Sequence, residues 1–138
     1  MSYFGTLTNP DGVGEAGIKK EDGFEKIRFQ LCVRNGKISE IFFQAPDKSL
    51  LFTIGEFTCA KVNGVDIEKA EETCKNNVLL RFSSKKEAAD IALKAFFSAI
   101  SDYHSRQQKK DSFEDIVDTL GKYEEGTPPR NLRHEFEL

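Results

Sequence analysis

Three cysteines, two histidines and a glycine-rich stretch are the residues whose types could do chemistry in this sequence. Thiolates bind soft metals, but Cys32, Cys59 and Cys74 stand far apart and form no C-x-x-C, so their spacing matches no zinc pattern. Their odd number also argues against a disulfide framework, and each reads as an ordinary thiol. "GVGEAG", Gly12 to Gly17, is a literal G-x-G-x-x-G. That pattern cradles a dinucleotide only when a strand precedes it and a helix follows it. Here "MSYFGTLTNPD" comes before, rich in turn formers, and "IKKEDGFEKIRFQLCV" after, a charged stretch leading into a strand. No helix start offers amides to a phosphate, so no nucleotide is expected. His104 falls near the end of a helical stretch, where an imidazolium interacts with the helix terminus. His134 lies in a charged tail. No nucleophile pairs with a base in the sequence, and Glu40, Glu56 and Asp66 read as surface groups. No catalytic residue is assigned, and the chain is not expected to be an enzyme.

The elements that must position these residues are built from 138 residues, 38% hydrophobic and 31% charged, with a net charge of −3. This suffices for one modest core. Nothing favours nucleic acid as a partner. No apolar run approaches the ~20 residues of a spanning helix, so no membrane is expected. "MSYFGTLTNP" lacks the basic and apolar regions of a secretory signal, which leads us to expect a cytoplasmic protein.

"EKIRFQLCV", residues 25–33, alternates cleanly and predicts a half-buried strand, with Ile27, Phe29, Leu31 and Val33 inward and Cys32 on the polar face. Asn35-Gly36 predicts a tight hairpin. In the return strand, residues 37–45, Ile41, Phe43 and Ala45 share one face while Ile38 and Phe42 take the other. That strand is therefore bulged or covered on both sides. A helix is expected over residues 47–61 with Asp47 as a possible N-cap, and a short polar helix over 67–77. Ser84 and Glu87 spell a capping box. Ala89, Ala92, Leu93, Phe96, Ala99, Ile100 and Tyr103 then form a 3.6-period stripe. "DSFEDIVDTLGKYEEG" could be one more amphipathic helix, with Phe113, Ile116, Val117 and Leu120 inward, before an extended or disordered tail. The expectation is an α+β fold, a small antiparallel sheet of about three strands with helices on one face. Residues 1–108 would form the domain, and 109–138 a short helix and charged tail.

This order of features resembles the IscU/NifU-type iron–sulfur cluster scaffold family. "DGVGEAG", an alternating strand, "GKI", a second strand, a helix, "VNG" and a long helix led by S-x-x-E carry the likeness, from Asp11 to Tyr103. Family members commonly have a "GVGEVG"-like stretch before their first metal-binding cysteine. Gly12, Gly14 and Gly17 would accordingly let the chain bend toward the first strand.

The resemblance implies a site of three cysteines and an aspartate that hold zinc or a nascent cluster, thiolate being the soft ligand such metals need. The family's C-G-D motif is matched here by Glu21, Asp22 and Gly23. Its second cysteine, preceded by glycine, is matched by Asp47-Lys48. Its third, preceded by histidine, is matched by Arg81-Phe82. All three thiols and the aspartate are replaced, so neither zinc nor an iron–sulfur cluster is expected to be held. The family's Leu-Pro-Pro-Val-Lys chaperone-recognition segment also has no match in Lys75–Leu79. If the fold is kept, Glu21 would face Lys48 and Arg81 as an ion pair replacing the metal's crosslink, with Phe82 filling the apolar remainder. The expected function is that of a divergent NifU/IscU-like protein related to cluster assembly, its partner a cysteine desulfurase or another assembly protein. The alternative is a non-catalytic adaptor module of an unrelated pathway that kept the scaffold fold.

Overall fold

The computed structural model describes residues 2–21 and 23–126, with side chains through Lys109. Asp22, the inward face expected of Phe113, Ile116, Val117 and Leu120, and the tail from Thr127 lie outside what is described. The chain divides into two units, one ending at His104 and one beginning at Ser105; the first is described below. Three strands, β1 (Gly12–Lys20), β2 (Gly23–Arg34) and β3 (Lys37–Gln44), form an antiparallel sheet in the order β1-β2-β3. Helices α1 (Leu50–Val62) and α2 (Ile67–Arg81) follow, then a 3-10 turn (Ser83–Lys85) and α3 (Lys86–Gly126).

The alternation in β2 is realised as expected: Ile27, Phe29 and Leu31 are fully buried on the helix side. Asn35 and Gly36 both adopt positive φ, 56° and 76°, which a two-residue hairpin turn of matching twist requires. The conflict of faces in β3 is resolved by a bulge. Cys32 pairs with Glu40 but Val33 pairs with Ile38, so Ser39 is the extra residue. The bulge rotates Ile38 onto the face of Ile41 and Phe43, and all three are buried. Ser39 Oγ donates to the Cys32 carbonyl at 3.2 Å, fixing the distortion.

β1 differs from the sequence expectation. Gly12–Gly17 is not a bend leading to a strand; it is the strand. Gly12 and Gly14 share the helix-facing side, and α3 comes down on them. A Cβ at Gly12 would lie 2.5 Å from the Ala99 carbonyl oxygen, and one at Gly14 would collide with backbone atoms of Ala95 and Ala99. The glycines and alanines together let the backbones of strand and helix touch. Gly17 faces the other side, where a Cβ would strike the Phe24 ring. The signal was present: Gly12, Gly14, Ala16 and Ile18 alternate with Val13, Glu15, Gly17 and Lys19. The inward set was too small to register as apolar.

The outer face of β2 is covered by the chain's own start. Tyr3 and Gly5 exchange backbone hydrogen bonds with Phe43, each at 2.9 Å, and Glu56 accepts from Ser2 Oγ and the Tyr3 N–H, both at 2.6 Å. The segment then crosses the sheet. Leu7 N–H donates to the Gln30 side chain at 2.8 Å, and Cys32 Sγ lies 3.6 Å from the Asn9 carbonyl. Gln30 and Cys32 are therefore buried although they point away from the helices.

In α1 the N-cap is Ser49, not Asp47: its Oγ accepts the Phe52 N–H at 3.1 Å. Gly55, unfavourable in a helix by about 1 kcal/mol, leaves room for Phe43, whose ring a Cβ would meet at 2.5 Å. α2 runs on to Arg81, four residues past the expected end, because Val78 extends the buried row of Ile67, Ala70 and Cys74. The Ser84–Glu87 capping box does not form; the chain enters α3 through the 3-10 turn. The α3 stripe is buried as expected from Ala89 to Ile100, with Tyr103 partly so. α3 is assigned as one helix of 41 residues, Lys86–Gly126, where the sequence leads us to expect two.

Gly14→Ala is expected to lower stability by about 1–3 kcal/mol, the cost of overpacking. An ordinary glycine-to-alanine change at a compatible site raises it instead. Gly17→Ala should cost less, since the exposed Phe24 ring can swing aside and the one backbone atom met, the Glu25 carbonyl oxygen at 2.8 Å, stands farther off than the helix backbone does at Gly14. Urea unfolding of the two variants checks the difference.

Candidate functional site

The residues singled out in the sequence lie at three chain reversals. Glu21 and Gly23 flank the β1–β2 turn, with Asp22 outside the described residues. Lys48 precedes the Ser49 cap and holds φ 61°. Arg81 ends α2, and Phe82 joins it to the 3-10 turn. A cavity of about 290 Å³ opens beside these reversals, between the ends of β1 and β2 and the first turns of α1 and α3. Its apolar part comes from Ile18, Leu50, Leu51 and Ala88, and its charges come from Lys20, Glu25, Lys85, Lys86 and Glu87. None of Glu21, Lys48, Arg81 and Phe82 lines it.

The expected ion pair is not made. Ion pairs among the described residues join Lys20 to Glu25 (3.3 Å), Lys26 to Glu15 (3.4 Å), Arg34 to Asp11 (3.0 Å) and Lys86 to Asp90 (3.6 Å). Glu21, Lys48 and Arg81 appear in none of them. Lys20 takes Glu25 across the hairpin instead, which leaves Glu21 at the exposed tip. Arg81 sits over the Phe82 ring at 5.6 Å. Phe82 does not fill the cavity either. It turns beneath α1, edge-on to Phe57 at 5.3 Å, and is buried. Local spacing could place these residues at reversals. It could not show which way each side chain leaves its reversal, and that is why the cavity's own lysines and glutamates went unnoticed.

None of the three cysteines lines this cavity, and all are buried. Burial pushes the Cys59 thiol well above its ordinary range, with Glu56 and the Cys74 sulfur adding to it. Burial, then Glu71, pushes Cys74 up to about 12. Cys32 is also raised, chiefly by burial, although the Asp11 backbone and Arg34 oppose the shift. All three shifts favour the thiol over the thiolate, the form that ligates metal. The cavity itself offers ammonium and carboxylate groups and no thiol, a donor set that does not fit zinc or an iron–sulfur cluster. Among the described residues no group of three histidines, cysteines or acids is arranged to hold a metal ion.

The buried thiols make a pH prediction. In the unfolded chain they ionise near the ordinary thiol value of 9.0, while folded Cys74 holds its proton to about 12. Between those values the folded state binds more protons, so stability should fall as pH rises, by up to about 1.4 kcal/mol per unit for each such thiol. Urea unfolding at a series of alkaline pH values checks this, and Cys74→Ala should reduce the slope.

No family model and no curated protein matches the chain. Solved structures do. One is the N-terminal part of a nitrogen-fixing NifU-like protein from Brucella abortus, with a TM-score of 0.57 and 12% identity over 76% of this chain and 87% of that one. Another is a putative iron–sulfur cluster assembly scaffold protein for the SUF system from Fervidobacterium islandicum AW-1. It has a TM-score of 0.57 and 15% identity over 71% of this chain and 86% of that one. At such identity the likeness is one of fold, and it agrees with the resemblance read from the sequence. The chain has the IscU/NifU-type scaffold fold.

Proposed function

We propose that this protein is a divergent NifU/IscU-like protein related to iron–sulfur cluster assembly that does not itself hold a cluster, and that it works by binding an assembly protein rather than by catalysis. The observation that carries the reading is a contrast. The fold is that of a NifU-like protein and of a putative cluster assembly scaffold protein, yet the reversals matched to the family's ligands carry Glu21, Gly23, Lys48 and Phe82, and the chain's thiols are buried elsewhere. A cysteine desulfurase is the proposed partner.

Protein expressed with added zinc and iron should contain far less than one metal per chain, and cluster reconstitution should leave no stable chromophore. Calorimetric titration with a purified cysteine desulfurase should show a complex. Stoichiometric metal would overturn the first half of the reading. A desulfurase that does not bind would leave the fold serving as an adaptor in another pathway.

A further inference from the structure

Three features meet on the free edge of β1. The first is unpaired backbone. Val13 directs its N–H away from β2, to the Asp102 carboxylate of α3 at 2.9 Å. Alternate residues of an antiparallel strand face the same way, so Glu15, Gly17 and Lys19 also turn their N–H and C=O groups outward. Nothing among the described residues bonds to those groups. The second is charge. Glu15 and Lys19 are exposed on the outer face, placed symmetrically about Gly17. The third is an aromatic ring. Phe24 is 64% exposed and lies over Gly17, in the space a Cβ would need.

We propose that this edge pairs with itself: two copies of the chain join β1 to β1, antiparallel, about a two-fold axis at Gly17, making one six-stranded sheet. The side chains select the register. An axis at Glu15 would set two carboxylates opposite each other, and one at Lys19 would set two ammonium groups opposite each other. The axis at Gly17 places Glu15 against Lys19 of the second copy, twice by symmetry. It also brings the two glycines to roughly 5.5 Å between Cα atoms, so that the two Phe24 rings, each lying over its own Gly17, meet across the axis and leave water. On the helix side, Ala16 comes opposite Ile18 of the second copy, two half-buried apolar residues. Asp102 closes the edge at Val13, which limits the pairing to Glu15–Lys19 and keeps the strand from extending into open-ended assemblies.

Sedimentation equilibrium of the full chain, combined with residue-resolved amide exchange across a concentration series, tests this. The expected result is a dimer in which the amides of Glu15, Gly17 and Lys19 gain protection as it forms. Glu15→Lys should raise the dissociation constant about tenfold or more, because each of two attractive pairs becomes repulsive. The double variant E15K/K19E should restore it. Both residues are exposed and Glu15 makes only a surface pair with Lys26, at 3.4 Å, so the thermal midpoint of the monomer should fall only slightly in either variant. A monomer at roughly millimolar protein, a dimer whose edge amides stay unprotected, or a double variant that fails to recover the affinity would each overturn the proposal.

Discussion

The contact between α3 and β1 is the constraint on which the rest of the first unit depends. Gly12 and Gly14 remove the side chains that would hold the helix away, and Ala95 and Ala99 do the same from the other side. Helix and strand then meet backbone to backbone, close enough for Asp102 to reach the Val13 N–H. That one contact sets both the height and the register of α3. Phe96 is thereby placed edge-on to Phe29 at 5.8 Å in the centre of the core. The start of α3 is placed beside Ile18, where the inward residues of β1 are larger and the cavity opens.

The remainder of the core follows the same exchange of small for large. Gly55 admits Phe43, and Phe43 packs edge-to-face with Phe52 at 5.2 Å and with Phe4 from the N-terminal segment at 5.8 Å. Burial of one such ring contributes about 1.5–3 kcal/mol, whereas an exposed ion pair contributes about 0–1. The four ion pairs named above are all at least partly exposed. Packing more than charge therefore holds this corner together, and the elements behind Glu21, Lys48 and Arg81 are fixed by phenylalanines and glycines.

Much of this was legible in the sequence. The alternation of β2 and the Asn35-Gly36 turn are local, and so is the stripe from Ala89 to Tyr103. Each follows from a period or a dihedral preference that needs no partner. Even the β3 bulge could be anticipated, since Ile38 and Ile41 cannot share a face without it. The site was less legible. Its reversals could be placed, but the direction of each side chain depends on what lies across the reversal. Glu25 draws Lys20, and the Phe57 ring draws Phe82 inward. Ser49 rather than Asp47 caps α1 because the turn at Lys48 takes a positive φ, and that turn was not visible in residue types.

The sequence by itself determined the fold class, and with it that a strand rather than a phosphate-holding helix follows the glycine stretch. Only the tertiary structure decided what "GVGEAG" is for. A glycine's conformational freedom and its lack of volume look the same in a sequence. Here the φ values of the stretch are unremarkable, and it is the missing volume that counts, because a helix more than 80 residues away in the chain occupies it. Close approach is a property of two segments at once, and no pattern within either one reveals it.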